Sequence, residues 1–460
     1  RPGAAVRLRL LARALMGVGA FAMASHAGGP AASSPHAFAA RLDAELAAIV
    51  GDPAHPLASL SVLAIRGGEV VYHRQFGHRW IDNADPARSK PADAHTLYRV
   101  ASISKLVTTL GVLRLVESGK LSLDRDIGDY LGYAVRNPHF PEAAITLRML
   151  LSHTSSLRDG GGYYWPEDRR LEEVLAAGAA RKDSAMWSAE ARPGAYFHYA
   201  NLPWGIVGTI MEKVAGERFD RLMQRLVLDP MGLQGGYNPA DLPDAKLRAI
   251  ATLYRKRGTD DAARWDPGGP WIPQVNDFSK SPPVPRAGPG YVPGRNGTLF
   301  GPQGSLHATA ADLGRIMRML MDRGMLDDKR VFKAETIDAM LSRQWRSDGG
   351  ANGLDSYGAS HKRFNAWGLG NQHFLDVSGP GEGDRLVEGG GFTGVGHHGD
   401  AYGLTGILVF DPAARNGLVF LGGGPGFDPE TARGRYSGFF RHEEKVLTTL
   451  HRRAILGAAD

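Results

Sequence analysis

No cysteine occurs among the 460 residues. That absence excludes disulfides, thiolate metal sites, a cysteine nucleophile and lipid attachment through sulfur. No Lys/Arg-dense helix or basic tail stands out either. A net charge of +6 is modest for this length, so nucleic acid is not an expected partner. The apolar run Ala14 to Ala24 is too short to span a bilayer. It follows Arg1, Arg7, Arg9 and Arg13 and precedes the small-residue stretch Ser25-His26-Ala27. This is the pattern of an export signal. Residues 1–27 or so are therefore expected to be a signal peptide, and the mature chain to be periplasmic or secreted with no stable membrane insertion. Residues 1–35 are set aside from fold reasoning.

What is present is ordinary for a large soluble protein: 43% hydrophobic and 22% charged residues. The length allows two interlocked lobes. With 60 glycines and 28 prolines, many turns and long ordered loops are expected. Phe38, Leu42, Leu46 and Ile49 recur at helical spacing, predicting an amphipathic helix over 34–50. Leu60–Ile65 and Val70–Phe76 are rich in strand formers, and Arg66-Gly67-Gly68-Glu69 predicts a tight hairpin between them. Residues 136–250 read as mainly helical, with Leu171–Ala180, Leu202–Ala215 and Phe219–Leu228 the clearest segments. A Gly/Pro-rich stretch with interspersed aromatics covers 258–301 and reads as a functional loop. A helix is expected over 305–321, with Thr309 as a cap, then a polar loop over 346–363. Leu404–Phe410 and Leu418–Leu421 read as strands, and a final helix is expected over about 437–455. Sheet segments at both ends with helices between them predict an α/β (α+β) fold: an antiparallel sheet flanked by helices, with a helical lobe inserted in the middle. The corresponding division is 36–135 plus 300–457 for the sheet domain and 136–299 for the insert.

One tetrapeptide organises the candidate chemistry. In Ser102-Ile103-Ser104-Lys105 the hydroxyl and the amine are three residues apart and share one face at a helix start. A buried lysine there loses proton affinity, so it can take the Ser102 proton and leave a nucleophile. Taken alone, Ser-x-x-Lys is also what a helix beginning with Ser and carrying a surface Lys looks like. A second group is Tyr199-Ala200-Asn201, just ahead of a helix. A tyrosine near amines can act as general acid or base, and an Asn amide can hold a substrate amide. The bland alternative is a buried Tyr and an Asn that caps the helix. The third group is Gly396-His397-His398-Gly399-Asp400, just before a strand. Its edge can pair with a peptide-like substrate, and its N–H with that of Ser102 can bind an oxyanion. His397 would supply a donor or positive charge near Tyr199 or a substrate carboxylate. The rival reading, a metal site of His397, His398 and Asp400, is disfavoured because neighbouring strand residues point to opposite faces.

Taken jointly and in this order, the three motifs resemble those of the β-lactamase-related serine hydrolases: class C β-lactamases, D,D-carboxypeptidases, D-aminopeptidases and certain esterases. Two further stretches share the resemblance, Leu150–Leu157 and Gly304–Leu313. The resemblance runs from about residue 37 to 455. It implies that Ser102 forms an acyl-enzyme while Lys105 and Tyr199 move protons. It implies further that Asn201 orients substrate, and that the amides of Ser102 and Asp400, beside His397 and Gly399, hold the oxyanion. No metal or organic cofactor is implied, and the partner is a small-molecule or peptide substrate. His397 stands where class C β-lactamases usually carry Lys, which is more like the D-peptidases and some esterases. Retention of Asn201 is more peptidase-like. The expected activity is cleavage of a D-amino-acid peptide or β-lactam-like amide. The alternatives are a carboxylesterase acting on small esters and a non-catalytic penicillin- or peptide-binding protein.

Overall fold

The computed structural model describes residues 35–258, 260–261, 263–354 and 361–458. The expected signal peptide and part of the 346–363 loop lie outside them. Nine strands form one sheet: β1 (Ser59–Arg66), β2 (Glu69–Trp80), β3 (Lys90–Pro91), β4 (Trp345–Arg346), β5 (Ala366–Trp367), β6 (Gln372–Phe374), β7 (Gly394–Ala401), β8 (Leu404–Asp411) and β9 (Asn416–Gly422). Their order across the sheet is β4-β5-β6-β7-β8-β9-β1-β2-β3, with every pair antiparallel. Strands from the first and last parts of the described chain thus meet where β1 pairs with β9, Leu63 opposite Val419.

The β1–β2 turn is the tight hairpin expected from the sequence. Gly67 and Gly68 both have positive φ, 58° and 90°, which side chains with a Cβ rarely adopt. β2 continues past Phe76 to Trp80, and its outer half is only partly buried.

The central strands are buried on both faces. On one side Leu63, Ile65, Leu408, Phe410, Val419 and Leu421 join the core of the helical lobe. On the other, Leu60, Val62, Ile407, Val409, Leu418 and Phe420 pack with Leu42, Leu46, Val446 and Leu447. Those last four come from helices α1 (Pro35–Val50) and α5 (Arg441–Leu450). The period-two alternation therefore sorts residues between two cores rather than between core and water, so these strands read as continuous apolar runs.

Between the sheet segments lie α2 (Ser104–Glu117), α3 (Leu202–Ala215) and α4 (Ala310–Met321), among shorter helices. α4 begins at Ala310, later than expected. Residues 305–308 are drawn into a turn and a two-residue strand, where His307 pairs with Arg99. Thr309 does cap the helix: its hydroxyl accepts from Asp312 N at 2.9 Å, and its own N–H donates to Asp312 at 3.0 Å. The final helix likewise starts at Arg441 rather than near Ser437. The Ser437 hydroxyl is taken by Glu444 Oε1 at 2.7 Å and by Phe439 N at 3.2 Å, which fixes that stretch as an irregular turn. Residues 451–455 continue the helix as a π-turn. Among the described residues no helix is long and apolar enough to cross a membrane.

Candidate active site

Ser102 sits in a 3₁₀ turn, Ala101–Ile103, that runs directly into α2. Ala101 has φ of 50°, a left-handed conformation uncommon for a residue with a Cβ. The bend is held from outside, by Val100 N donating to Leu306 O at 2.8 Å and Leu306 N to Ser104 Oγ at 3.0 Å. It leaves Ser102 half-buried in a cleft while Lys105, one turn on, is fully buried behind it.

Three acceptors surround the amine. Lys105 Nζ lies 2.9 Å from Ser102 Oγ, 2.8 Å from Asn201 Oδ1 and 3.2 Å from Gln303 O. Burial pushes its pKa down to about 7, with Asp159 pulling weakly the other way. A neutral amine has two N–H bonds and one lone pair. If Asn201 Oδ1 and Gln303 O take the two hydrogens, the lone pair faces Ser102 Oγ. The amine also lies over the Tyr199 ring, 4.8 Å from its centroid.

Tyr199 is buried in an aromatic cluster with Phe197, Trp345 and Trp367. His153 stacks on its ring at 4.4 Å between centroids and orients the segment by accepting from Ala200 N through Nδ1 at 3.2 Å. Burial, then the charge of Lys105, holds the His153 imidazole well below its ordinary pKa, so it stays neutral.

Asn201 is fixed by a residue the sequence did not single out. The Asp159 carboxylate accepts from Asn201 N at 2.8 Å, Asn201 Nδ2 at 3.0 Å and Leu202 N at 2.9 Å. It thereby caps α3 from a loop more than forty positions earlier. The sequence reading gave Asn201 to substrate; here its oxygen is held by Lys105. Nothing in periodicity marks Asp159, because it lies in irregular backbone.

The third motif forms β7. Its pairing with β6 stops at Gly396, opposite Gln372, while its pairing with β8 continues to Ala401. From His397 onward the β6 side of the strand is therefore an open edge. Gly399 makes the close approach possible: a Cβ there would lie 2.6 Å from Val100 O and 3.5 Å from the Ala101 Cβ. The backbone of Gly399–Asp400 thus runs alongside the turn that carries Ser102.

The imidazole of His397 differs from expectation. Its Nδ1 lies 2.6 Å from His398 O, so Nδ1 carries the hydrogen and Nε2 is an acceptor. Nε2 has no hydrogen-bond partner among the described residues. Burial, reinforced by Lys105, lowers its pKa to about 3. His397 therefore offers a lone pair rather than a positive charge, 6.2 Å between ring centroids from Tyr199. His398 is engaged elsewhere, its Nε2 2.6 Å from Glu443 Oε1 on α5. Among the described residues no group of three His, Asp or Glu is placed to hold a metal ion.

The cleft has a volume of about 700 Å³. Ser102, Tyr199, Asn201, His397 and Asp400 all line it, with Lys105 and Gly399 immediately behind. The 258–301 loop supplies much of another wall through Arg286, Leu299 and Gly301. That loop is clamped by Glu212 of α3, which accepts from Tyr291 Oη at 2.6 Å and Gly294 N at 2.9 Å.

A family model described as Beta-lactamase matches residues 38–439. The chain is 28% identical over 179 residues to penicillin-binding protein 4* of Bacillus subtilis (strain 168), covering 38% of this chain and 36% of that protein. It is 25% identical over 325 residues to a putative D-alanyl-D-alanine carboxypeptidase of Escherichia coli (strain K12), covering 65% and 70%. The first of these matches thus takes in little more than a third of its relative's length. Among solved structures, the octameric penicillin-binding protein homologue from Pyrococcus abyssi superposes with a TM-score of 0.58 at 22% identity, over 85% of this chain and 74% of that one. SurE superposes with the same score at 18% identity, over 85% and 73%. At these identities the structural likeness carries the fold alone.

Proposed function

The chain belongs to the beta-lactamase family, and from that premise we propose that it is a serine hydrolase cleaving an amide, in a D-amino-acid peptide or a β-lactam-like ring, through an acyl-enzyme on Ser102. The observation that carries this reading is the Lys105 amine, fully buried and 2.9 Å from Ser102 Oγ, with two other acceptors present to take its hydrogens.

In the proposed cycle the Lys105 lone pair accepts the Ser102 proton as Oγ bonds to the carbonyl carbon. Negative charge then develops on the carbonyl oxygen between the N–H groups of Ser102 and Asp400. Losing one such donor typically costs about 3–4 kcal/mol of transition-state stabilisation. The proton passes to the departing amine by way of Tyr199, whose ring lies over Lys105. The C–N bond breaks and the acyl group stays on Oγ. Water, deprotonated by the same groups, then attacks the ester and releases the acid. The open edge of β7 beyond Gly396 supports a substrate with a peptide-like backbone, because unpaired strand groups there can bond to it.

Labelling with a fluorescent penicillin and turnover of a p-nitrophenyl ester test the proposal together. Stable labelling supports a peptidase, rapid turnover of the penicillin a lactamase, and ester turnover alone the carboxylesterase alternative. No adduct by mass spectrometry with any reactive substrate supports a non-catalytic binder. Ser102→Ala is expected to abolish labelling and turnover, and unchanged turnover in that variant refutes the assignment. The export pattern in residues 1–27 extends the proposal to a periplasmic or secreted location, which fractionation of the native host checks.

A further inference from the structure

Two guanidinium groups hang from the wall segment Leu299–Ser305. Arg99 Nε donates to Gly304 O at 3.1 Å, and Arg286 Nη1 donates to Ser305 Oγ at 2.7 Å. Both line the same cleft as Ser102 and both are half-buried. Among the described residues neither is ion-paired with a carboxylate, whereas Arg433, also in the cleft, is held by Glu430. The acid nearest to Arg286 in its electrostatics is Asp220, and that carboxylate is already taken by Arg218 and by Asn238 Nδ2 at 2.9 Å. The immediate neighbours are instead neutral: the Arg99 guanidinium stacks over the Tyr402 ring at 4.7 Å, and Tyr163 and Tyr164 stand at the rim. His307, buried behind both arginines, is held neutral by burial and by their charge, its pKa down to about 3.

Two like charges sharing a poorly hydrated wall repel, and the cost is relieved by an anion placed between them. Burial, then the charge of Arg99, lowers the pKa of Arg286 to about 10. A guanidinium bonded only to neutral oxygens, with N–H groups left over, suits a carboxylate. The position in the cleft says which part of the substrate carries that carboxylate. In the proposed cycle the departing amine is protonated near Tyr199 and His397. The arginines are instead anchored on the segment whose Gln303 carbonyl holds Lys105.

We propose that Arg99 and Arg286 form an anion subsite that binds a side-chain carboxylate on the acyl portion of the substrate. The proposal rests on the hydrolase reading for the word "acyl" but not for the existence of the subsite. Of the two residues Arg286 is the better probe, since Arg99 also fastens the backbone just ahead of Ser102.

The test compares N-acetyl-D-glutamate with N-acetyl-D-glutamine, which share a shape and differ in one charge. Binding is measured by NMR titration of the Ser102→Ala protein, with and without Arg286→Gln or Arg286→Lys. The expected result is roughly tenfold tighter binding of the glutamate, lost with Arg286→Gln, partly kept with Arg286→Lys, and weakened by added salt. Because each comparison is made within one variant, a change in the amount of folded protein does not alter the ratio. Equal binding of the two compounds, or a preference that survives Arg286→Gln, overturns the subsite. Labelling of the unmutated protein by fluorescent penicillin reports separately on the hydrolase reading. Labelling without discrimination sinks the subsite alone, and discrimination with no labelling, no penicillin or ester turnover and no adduct with any reactive substrate keeps it and sinks the other.

Discussion

A methyl group on Gly399 would sit 2.6 Å from the carbonyl oxygen of Val100. The oxygen is backbone and a Cβ is fixed rigidly to its own backbone, so neither can swing aside. Gly399→Ala is expected to push β7 away from the turn bearing Ser102 and to separate the two N–H groups proposed for the oxyanion. The acylation rate constant with fluorescent penicillin should fall by about 100-fold or more. Unfolding in denaturant should change far less than that loss implies. An unaffected rate would mean that the strand and the turn do not cooperate.

The Lys105 amine must be neutral to accept a proton, and burial places its pKa at about 7. Below that pH the group is an ammonium with no lone pair. The acylation rate constant should therefore rise with pH through about 7 and level off above it, falling about tenfold per pH unit on the acid side. Lys105→Met removes both the limb and most of the rate, by about two to four orders of magnitude. A rate that falls as pH rises through 7 would assign the limb to another group.

Asp159 touches neither Ser102 nor Lys105, yet it takes three N–H groups from Asn201 and Leu202. Asp159→Asn replaces an acceptor-only carboxylate with an amide that must turn one N–H toward donors. The variant should lose about 2 kcal/mol of stability. The variant also removes the negative charge that raises the Lys105 pKa and loosens the Asn201 oxygen that favours the ammonium, so the apparent pKa of the acid limb should fall along with its plateau. A lower plateau with an unmoved limb would reduce Asp159 to a helix cap.

Glu212 is buried, and burial raises its carboxyl to about 7 even though Tyr291 Oη, Gly294 N and Phe219 N all donate to it. A carboxyl whose folded pKa is raised contributes stability that is full below about 4.5 and is lost as pH rises through about 7. Urea midpoints should accordingly decline over that window, and Glu212→Gln should flatten the decline. Tyr291→Phe should loosen the 286–296 segment selectively, seen as faster amide exchange there while β8 and β9 keep their protection. Uniform exchange across the chain would show that the clamp is not local.

Local signals were readable from the sequence and distant ones were not. The Ser102–Lys105 spacing, the Gly67-Gly68 turn and the Thr309–Asp312 cap each lie within four residues, so propensity and geometry settle them together. The apolar runs at 404–410 and 418–421 showed strands, although only the structure shows that their two faces serve different cores. The start of the last helix was misplaced because Ser437, a plausible helix-start residue, spends its hydroxyl on Glu444 instead. Asp159, the Gln303 carbonyl and Arg286 reach the site across 42 to 198 positions from loops without periodicity. The tautomer of His397 depended on a single contact with the carbonyl of the next residue.

The strands that join the early and late parts of the described chain have no water-facing side. β8 and β9 are almost wholly apolar and enclosed above and below. When heat opens the molecule, these adjoining segments are released side by side, each with strong strand preference and little charge to keep copies apart. Self-association of that opened form competes with its return to the native state. Survival at high temperature is then a matter of how slowly β1 and β9 part company, and a half-life describes it better than a melting midpoint.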